Sequence, residues 1–415
     1  DQFPRIGASG QSTGYTIDQS IRFNATDTPK LTRTPSSTGN RDKWTFSAWV
    51  KRGKITDPSG GGGESQVLFT AGNDVNNFTR LAFQTTGGLN TNEVADCFHF
   101  IVQEGGTNTY PAIISTNRLF RDVSAWYHVV AVYDSGNSIS SERIKIYFNG
   151  VRETNFSNTT YPSQNVDSRV NHASTVNRVG TFDLGNNKGH FDGYMAEIHL
   201  LDGYAYGPEY FGEFKEDTDI WIPKKYTESY GTNGFKIDGR DSGDLGDDES
   251  GQGNDFSTSG LAAHDQMIDT PTNNFCVMNP IYADNSATNS LTSSEGNLKL
   301  AGTSSGFDFL STTFNLPKSG KWYYEYTIGG GYDGFGFFIQ GEGGTAGGAN
   351  GLGQLSASQG GGIQYRGWRN GGSYTTTFAD YASGVFSSGE IHQVAIDVDN
   401  NDLYYGIANV YQAAD

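Results

Sequence analysis

The stretch that most restricts what this chain can become is Lys43–Arg52, Lys-Trp-Thr-Phe-Ser-Ala-Trp-Val-Lys-Arg. Phe46, Ala48 and Val50 point one way; Thr45, Ser47, Trp49 and Lys51 point the other. A side-chain period of two belongs to a strand, because successive Cβ atoms leave opposite faces of a pleated chain. The same alternation returns at residues 126–133, 143–150 and 194–201. Together these strands describe one antiparallel sandwich. Trp49 faces away from the apolar trio, so it either packs against a second layer or covers the outer face of the sheet. Its burial would mean that the later part of the chain, or a neighbouring subunit, closes over that face.

Composition supports an all-β class. Of 415 residues, 56 are Gly, 23 Tyr and 26 Phe. Gly-rich turns between aromatic and β-branched runs are what many short strands need, and almost no stretch has helical spacing. At about 100–200 residues per domain, the length suits two or three cores. The net charge of −18 argues against a nucleic-acid partner, which needs a basic surface. No apolar run approaches the ~18 residues of a membrane-spanning helix. Cys97 and Cys276 make neither a disulfide framework nor a zinc motif, and suit synthesis in a reducing compartment. The chain opens at Asp1 with neither Met nor signal peptide, and reads as a piece of something longer.

In order, residues 1–19 read as an extended arm, rich in Gly, Ser and Thr, of the kind ordered where it lies on a neighbour. Short strands follow at 20–34, and four glycines make 57–64 a loop. Further strands fall at 66–71, 79–84, 96–102, 126–133, 143–148, 176–181 and 194–201. Asn149-Gly150 between two alternating runs is a strong hairpin signal, since both residues tolerate positive φ. Residues 207–211 read as one short helix, with Pro208 at its first position and Glu209 beside it.

The ordered blocks Phe46-Ser47-Ala48-Trp49-Val50, Trp126-Tyr127-His128-Val129-Val130, Ile146-Tyr147-Phe148-Asn149-Gly150 and Phe191-Asp192-Gly193-Tyr194-Met195-Ala196-Glu197-Ile198 resemble the laminin G-like, concanavalin A-like jelly roll. The resemblance covers residues 20–212. Residues 213–288 then read as a connecting segment that adds strands to the sandwich and leads away from it. Its run from Trp221-Ile222-Pro223 through the acidic turn at 241–255 to Thr270-Pro271-Thr272-Asn273-Asn274-Phe275 is similar to segments that follow such modules in bacteriophage tail and other virion proteins, marine phages in particular. From 289 a second alternating set begins. Lys321-Trp322-Tyr323-Tyr324-Glu325-Tyr326, a Gly-rich strand at 334–340, a Gly-rich loop at 341–353 and a hairpin around Asp399-Asn400-Asn401-Asp402 resemble the SPRY β-sandwich, which would continue past residue 415.

Enzymes on this fold set two carboxylates two residues apart on one strand face; retaining glycosidases need them about 5–5.5 Å apart. The Glu-x-Asp-x-x-Glu pattern is absent here. Glu197 shares a strand face with His199 and lacks a second carboxylate nearby in sequence; it reads as the anchor of a loop. The seven His residues show no zinc spacing. Calcium is the ion that the fold resemblance implies, with Asp183, Asn186 and Asp192 in a Gly/Asn-rich turn as its ligands. A second acidic turn holds Asp244, Asp247, Asp248 and Glu249, and both turns also read as ordinary solvated loops. Tyr365, Arg366, Trp368, Arg369 and Tyr374 either form a ligand-binding loop, rings stacking on sugar, or supply core residues of a short strand.

These readings converge on a non-enzymatic phage virion protein that requires no cofactor. The resemblance implies a tail fibre or surface appendage made in the host cytoplasm, carried on tail or capsid. Its partners would be other virion proteins and a host-surface receptor or glycan, and its assembly a homotrimer. A capsid-decorating or head-fibre protein is the alternative; a polysaccharide depolymerase comes third.

Overall fold

The structure of the protein, a computed structural model, describes residues 14–55, 65–84, 95–106, 109–185, 188–283 and 292–301, and between 310 and 411 the strands named below with some flanking residues. The sequence-predicted loops at 57–64 and 341–353 and the strand at 334–340 lie outside the described residues.

The chain is antiparallel β almost throughout. Eighteen strands build or cover the sandwich. In chain order they are β1 (Ser20–Phe23), β2 (Lys30–Arg33), β3 (Lys43–Arg52), β4 (Ser65–Asp74), β5 (Asn77–Gln84), β6 (Cys97–Gln103), β7 (Ala112–Leu119), β8 (Trp126–Asp134) and β9 (Ile144–Phe148). Then come β10 (Val151–Arg152), β11 (Phe156–Thr160), β12 (Asn177–Val179), β13 (Gly193–Asp202), β14 (Gly212–Phe214), β15 (Trp221–Pro223), β16 (Phe235–Ile237), β17 (Ser257–Ser259) and β18 (Gln266–Met267). One sheet runs β10-β9-β8-β3-β13-β1-β18, with β16 also on β13; the other runs β11-β7-β6-β5-β4-β12-β2-β17. Each sheet joins a run of consecutive strands, β10-β9-β8 or β7-β6-β5-β4, to strands far away in sequence, as in a jelly roll. Residues 207–211 form a single 3₁₀ turn, Pro208–Tyr210. No helix among the described residues is long and apolar enough to cross a membrane.

β3 lies at the centre of the first sheet, with β8 on one side and β13 on the other. Its even-numbered residues face inward. Trp44 stacks between Phe100 and Tyr133, each at 5.5 Å, and Phe46 lies 5.3 Å from Phe69 of the opposite sheet. Ala48 and Val50 complete the row, and the core continues through Phe83, Phe98, Phe120 and Phe148. Each buried side chain of this size stabilises by roughly 1.5–3 kcal/mol. The Asn149-Gly150 turn has φ of 48° and 79°, the positive pair that a tight β9–β10 hairpin needs.

The outer face of the β3 sheet is covered as well. Trp49 is only 5% exposed, in a cluster with Ile17, Trp126, Tyr194 and Ala196; Tyr15, Trp221 and Met267 pack against it. The cover comes from this chain itself: residues 14–19 in front, the β14–β15 hairpin and the strap at 265–275 behind. Strands β16, β17 and β18 extend the two sheets into residues 235–267.

Further on, Lys321–Thr327, Ile391–Asp397, Asp402–Ile407 and Val410–Tyr411 form a separate antiparallel sheet. Val394 is fully buried there, with Tyr324, Tyr326, Ile396 and Ile407 packed around it.

Lys51 shows what fastens the strap. Its side chain is fully buried, and Nζ donates to Asp269 Oδ2 at 2.7 Å, Asn274 Oδ1 at 2.8 Å and Phe275 O at 2.8 Å. Lys51→Met leaves the Asp269 carboxylate buried without its countercharge and is expected to cost about 3–5 kcal/mol in urea unfolding. Adding Asp269→Asn to that variant should recover most of the loss; a double variant no more stable than the single one would show that the ion pair is not the cause.

Candidate functional site

Two buried histidines on the outer face of the β3 sheet sit where a cleft-bearing jelly roll could keep polar chemistry. His128 comes from β8 and His199 from β13. The position of His199 depends on a bulge: the β13–β3 register slips between Ala196 and His199, and Glu197 takes φ of 48°. Met195, Ile198 and Leu200 all join the inner core, whereas Tyr194, Ala196 and Leu201 pack outside. In a regular strand Glu197 and His199 would point inward with Met195. The extra residue of the bulge turns both outward.

Glu197 is then surrounded by donors. Its carboxylate accepts from Tyr15 Oη at 2.8 Å and Lys236 Nζ at 2.9 Å, and lies 3.2 Å from His199 Nε2. His199 Nδ1 is 3.0 Å from the Tyr230 hydroxyl, and the ring stacks on Tyr230. Burial pushes the Glu197 carboxyl up, but His199 and Lys236 outweigh it and hold it down at about 2. Lys236 also reaches Asp238 at 3.1 Å, so one ammonium sits between two carboxylates. Asp238 was missed from sequence; the signal was its i, i+2 spacing from Lys236 on one strand.

His128 is wired differently. The Trp221 indole N–H donates to its Nδ1 at 3.0 Å, and Ser47 Oγ lies 2.9 Å from Nε2. With Nδ1 accepting, the neutral ring carries its proton on Nε2 and donates it to Ser47. A serine nucleophile needs the reverse, an imidazole nitrogen free to take its proton. Trp49 and Trp221 stack on the ring at 4.7 and 5.9 Å. Burial, then the neighbouring His199, pushes the His128 pKa down to about 3.

Two of the sequence-predicted calcium ligands lie among the described residues, each with a partner of its own. Asp183 Oδ2 pairs with Lys30 Nζ at 2.6 Å, and Asn186 lies outside the described residues. Asp192 is fully buried beside β13; its Oδ2 accepts the Ala25 N–H at 3.2 Å, and burial raises its carboxyl to about 6. In the other acidic turn, Asp248 accepts from the backbone N–H groups of Lys236, Ser250 and Asn254, Asp244 from that of Gly246, and Glu249 pairs with Arg240. These carboxylates shape the turn. Among the described residues, no three His, Cys, Asp or Glu side chains converge as a metal site.

Of the predicted binding loop, Tyr365 falls on a strand, Gly362–Tyr365, and Arg369 and Tyr374 on a small hairpin; their side chains, and Arg366 and Trp368 altogether, lie outside the described residues. An aromatic surface that the sequence did not single out lies elsewhere. Tyr206 and Tyr210 stack at 4.1 Å and 8°, with Tyr204 5.3 Å from Tyr206. Beside them Glu209, Tyr210, Lys224, Lys225, Thr227 and Glu228 line an open cleft of about 290 Å³.

Residues 24–205 match the concanavalin A-like lectin/glucanases superfamily. No curated protein matches in sequence. Among solved structures, a heptameric SAP-like pentraxin from Limulus polyphemus is 15% identical over 46% of this chain and 78% of its own, with a TM-score of 0.31. Tailspike protein 2 of Escherichia coli O157:H7 bacteriophage CAB120 is 12% identical over 48% of this chain and 28% of its own, at 0.27. The LG1-3 region of the laminin alpha2 chain is 10% identical over 95% and 57%, at 0.24. These likenesses are too distant to carry an argument of their own.

Two groups in the buried layer, Glu197 and His128, favour neutral pH. The Glu197 carboxyl, about 2 when folded against an ordinary 4.5, contributes stability that is complete above pH 4.5 and lost as pH falls toward 2. His128, about 3 against 6.5, contributes stability that is complete above pH 6.5 and lost as pH falls toward 3. Asp192, at about 6 against an ordinary 3.8, works in the opposite sense between those values, so the test is a difference between variant and parent. Between pH 6.5 and 3 the parent's stability in urea should fall relative to that of His128→Gln by about 1.4 kcal/mol per pH unit, and a constant difference would contradict this account. The described part of residues 24–205 forms a laminin G-like, concanavalin A-like jelly roll.

Proposed function

We propose that the chain is a non-enzymatic bacteriophage virion protein, a tail fibre or surface appendage that binds host-surface glycan, with a SPRY-like module following the jelly roll. The observation that carries the non-enzymatic part is the closure of the outer β3 face. Glu197 is committed to Tyr15, Lys236 and His199, and His128 donates to Ser47 rather than accepting from it. A general acid or base must reach its substrate, and neither group does.

Glycan binding draws support from the open cleft beside the tyrosine stack. An aromatic ring flanked by lysines and glutamates suits a sugar, whose C–H face packs on the ring while its hydroxyls bond the charged rim. The phage context rests on the similarity of residues 221–275 to segments of virion proteins. A capsid-decorating role is the second reading. It is favoured by the way the segments at 14–19 and 265–275 stiffen the sandwich into a closed unit, as a spacer would require.

Three measurements test this. A glycan array should give binding that Tyr210→Ala weakens at least tenfold; no binding to any glycan sinks the receptor role. A reducing-sugar assay on host polysaccharide should show no release, and turnover would overturn the non-enzymatic reading. Immunogold labelling should place the chain on the tail, while label on the icosahedral shell would favour the decorating role.

A further inference from the structure

Lys51, Asp269 and Asn274 meet on the outer face of the β3 sheet in an arrangement that offers more than an ion pair. The Lys51 side chain is fully buried, Asp269 is 3% exposed and Asn274 is half-buried. Lys51 Nζ lies 2.7 Å from Asp269 Oδ2 and 2.8 Å from Asn274 Oδ1. A carbonyl bond is about 1.23 Å long, so Asn274 Cγ stands no more than about 4 Å from Nζ. A small shift brings the two to the roughly 3–3.5 Å at which reacting atoms meet. The amide is held in that orientation: its Nδ2 donates to Ser124 O at 2.9 Å, which keeps Oδ1 and Cγ toward the lysine.

The chemistry of the three groups is complementary. A primary amine attacks a carboxamide carbon only when uncharged, and needs a group that moves protons to the leaving nitrogen. Burial lowers the Lys51 pKa, in spite of the Asp269 carboxylate beside it. The Trp126 indole N–H donates to Asp269 Oδ1 at 3.0 Å, and the Tyr194 ring lies 5.8 Å from Nζ. Among these rings two charges lose hydration, which shifts the pair toward neutral amine and carboxylic acid relative to water. Lys236, in the same layer, gives the contrast. Burial lowers its pKa too, but Glu197 and Asp238 outweigh this and raise it, and neither of those carboxylates offers an amide carbon.

We propose that Lys51 and Asn274 join through a spontaneous isopeptide bond, with Asp269 as the proton-transfer group. Asp269 takes one proton from the Lys51 ammonium. The freed amine attacks Asn274 Cγ and forms the Nζ–Cγ bond. Asp269 then delivers its proton to Nδ2 and takes the second proton from Nζ; the Cγ–Nδ2 bond breaks and ammonia leaves. The products are a secondary amide, one ammonia and a protonated Asp269, so atoms and charge balance with no oxidant and no co-reactant. Asn274 reaches the surface, which gives the ammonia a way out. The bond ties β3 to the strap at 265–275 across more than 200 residues of chain, and the strap can then no longer lift from the sheet. The ion pair that Lys51→Met tests above precedes this step, so that comparison belongs to protein whose mass is still that of its sequence.

The intact mass of the full chain, folded and then denatured for the measurement, should be one ammonia below that of its sequence. Trypsin should yield a branched peptide in which Lys51 is joined to Asn274. Asp269→Asn and Asn274→Ala should each keep the full mass of their sequences. Asn274→Ala retains the Lys51–Asp269 pair, so it carries the test should Asp269→Asn fail to fold. A folded parent with the full mass of its sequence, an ammonia loss that persists in Asn274→Ala or in Lys51→Arg, or a water loss that joins Lys51 to Asp269 would each overturn the proposal.

Discussion

Burying Lys51 and Arg52 side by side, on opposite faces of one strand, commits the chain to much of what surrounds them. Both side chains are fully buried. Removing two charges from water costs several kcal/mol each unless partners replace the lost hydration. Arg52, at the inner face, takes Asp96 at 3.2 Å, Phe120 O at 2.5 Å and the Phe83 ring. Lys51, at the outer face, takes Asp269, Asn274 and Phe275 O from more than 200 residues away. The first set closes the end of the core. The second makes the strap at 265–275 part of the sandwich rather than a linker beyond it.

The outer layer follows the same rule of paired burial. Ser47 meets His128, His128 meets Trp221, His199 meets Tyr230, and Glu197 meets Tyr15 and Lys236. Residues that would carry catalysis in an open cleft here hold the N-terminal segment and the β14–β15 hairpin against the sheet. On the function proposed above, recognition falls to surfaces outside that closed layer, since a shared fold does not fix what a module binds.

Much of the sandwich was legible because alternation is plain in β3, where Phe46, Ala48 and Val50 lie on one face and Thr45, Ser47 and Lys51 on the other. β7 was missed: Ala112-Ile113-Ile114 gives way to Ser115-Thr116-Asn117-Arg118, so half its length lacks an apolar face. The aromatic side chains at 204–210 escaped notice because their stacking depends on the turn of the backbone around Pro208, not on any period. In the acidic turns the partners were not legible: Asp183 and Asp192 are nine positions apart, and Lys30 pairs with the first while the β1–β2 loop donates to the second.

What the sequence by itself determined was local. A period of two assigns faces along a strand, and a pair such as Asn149-Gly150 permits the positive φ that a tight hairpin requires. Only the tertiary structure decided which segment covers Trp49, where Lys51 finds its countercharge, and that Glu197 and His199 turn outward at a bulge. Those outcomes join residues far apart in the chain, through burial and hydrogen-bond satisfaction. No pattern of neighbouring residues encodes the partner that a buried polar group will find.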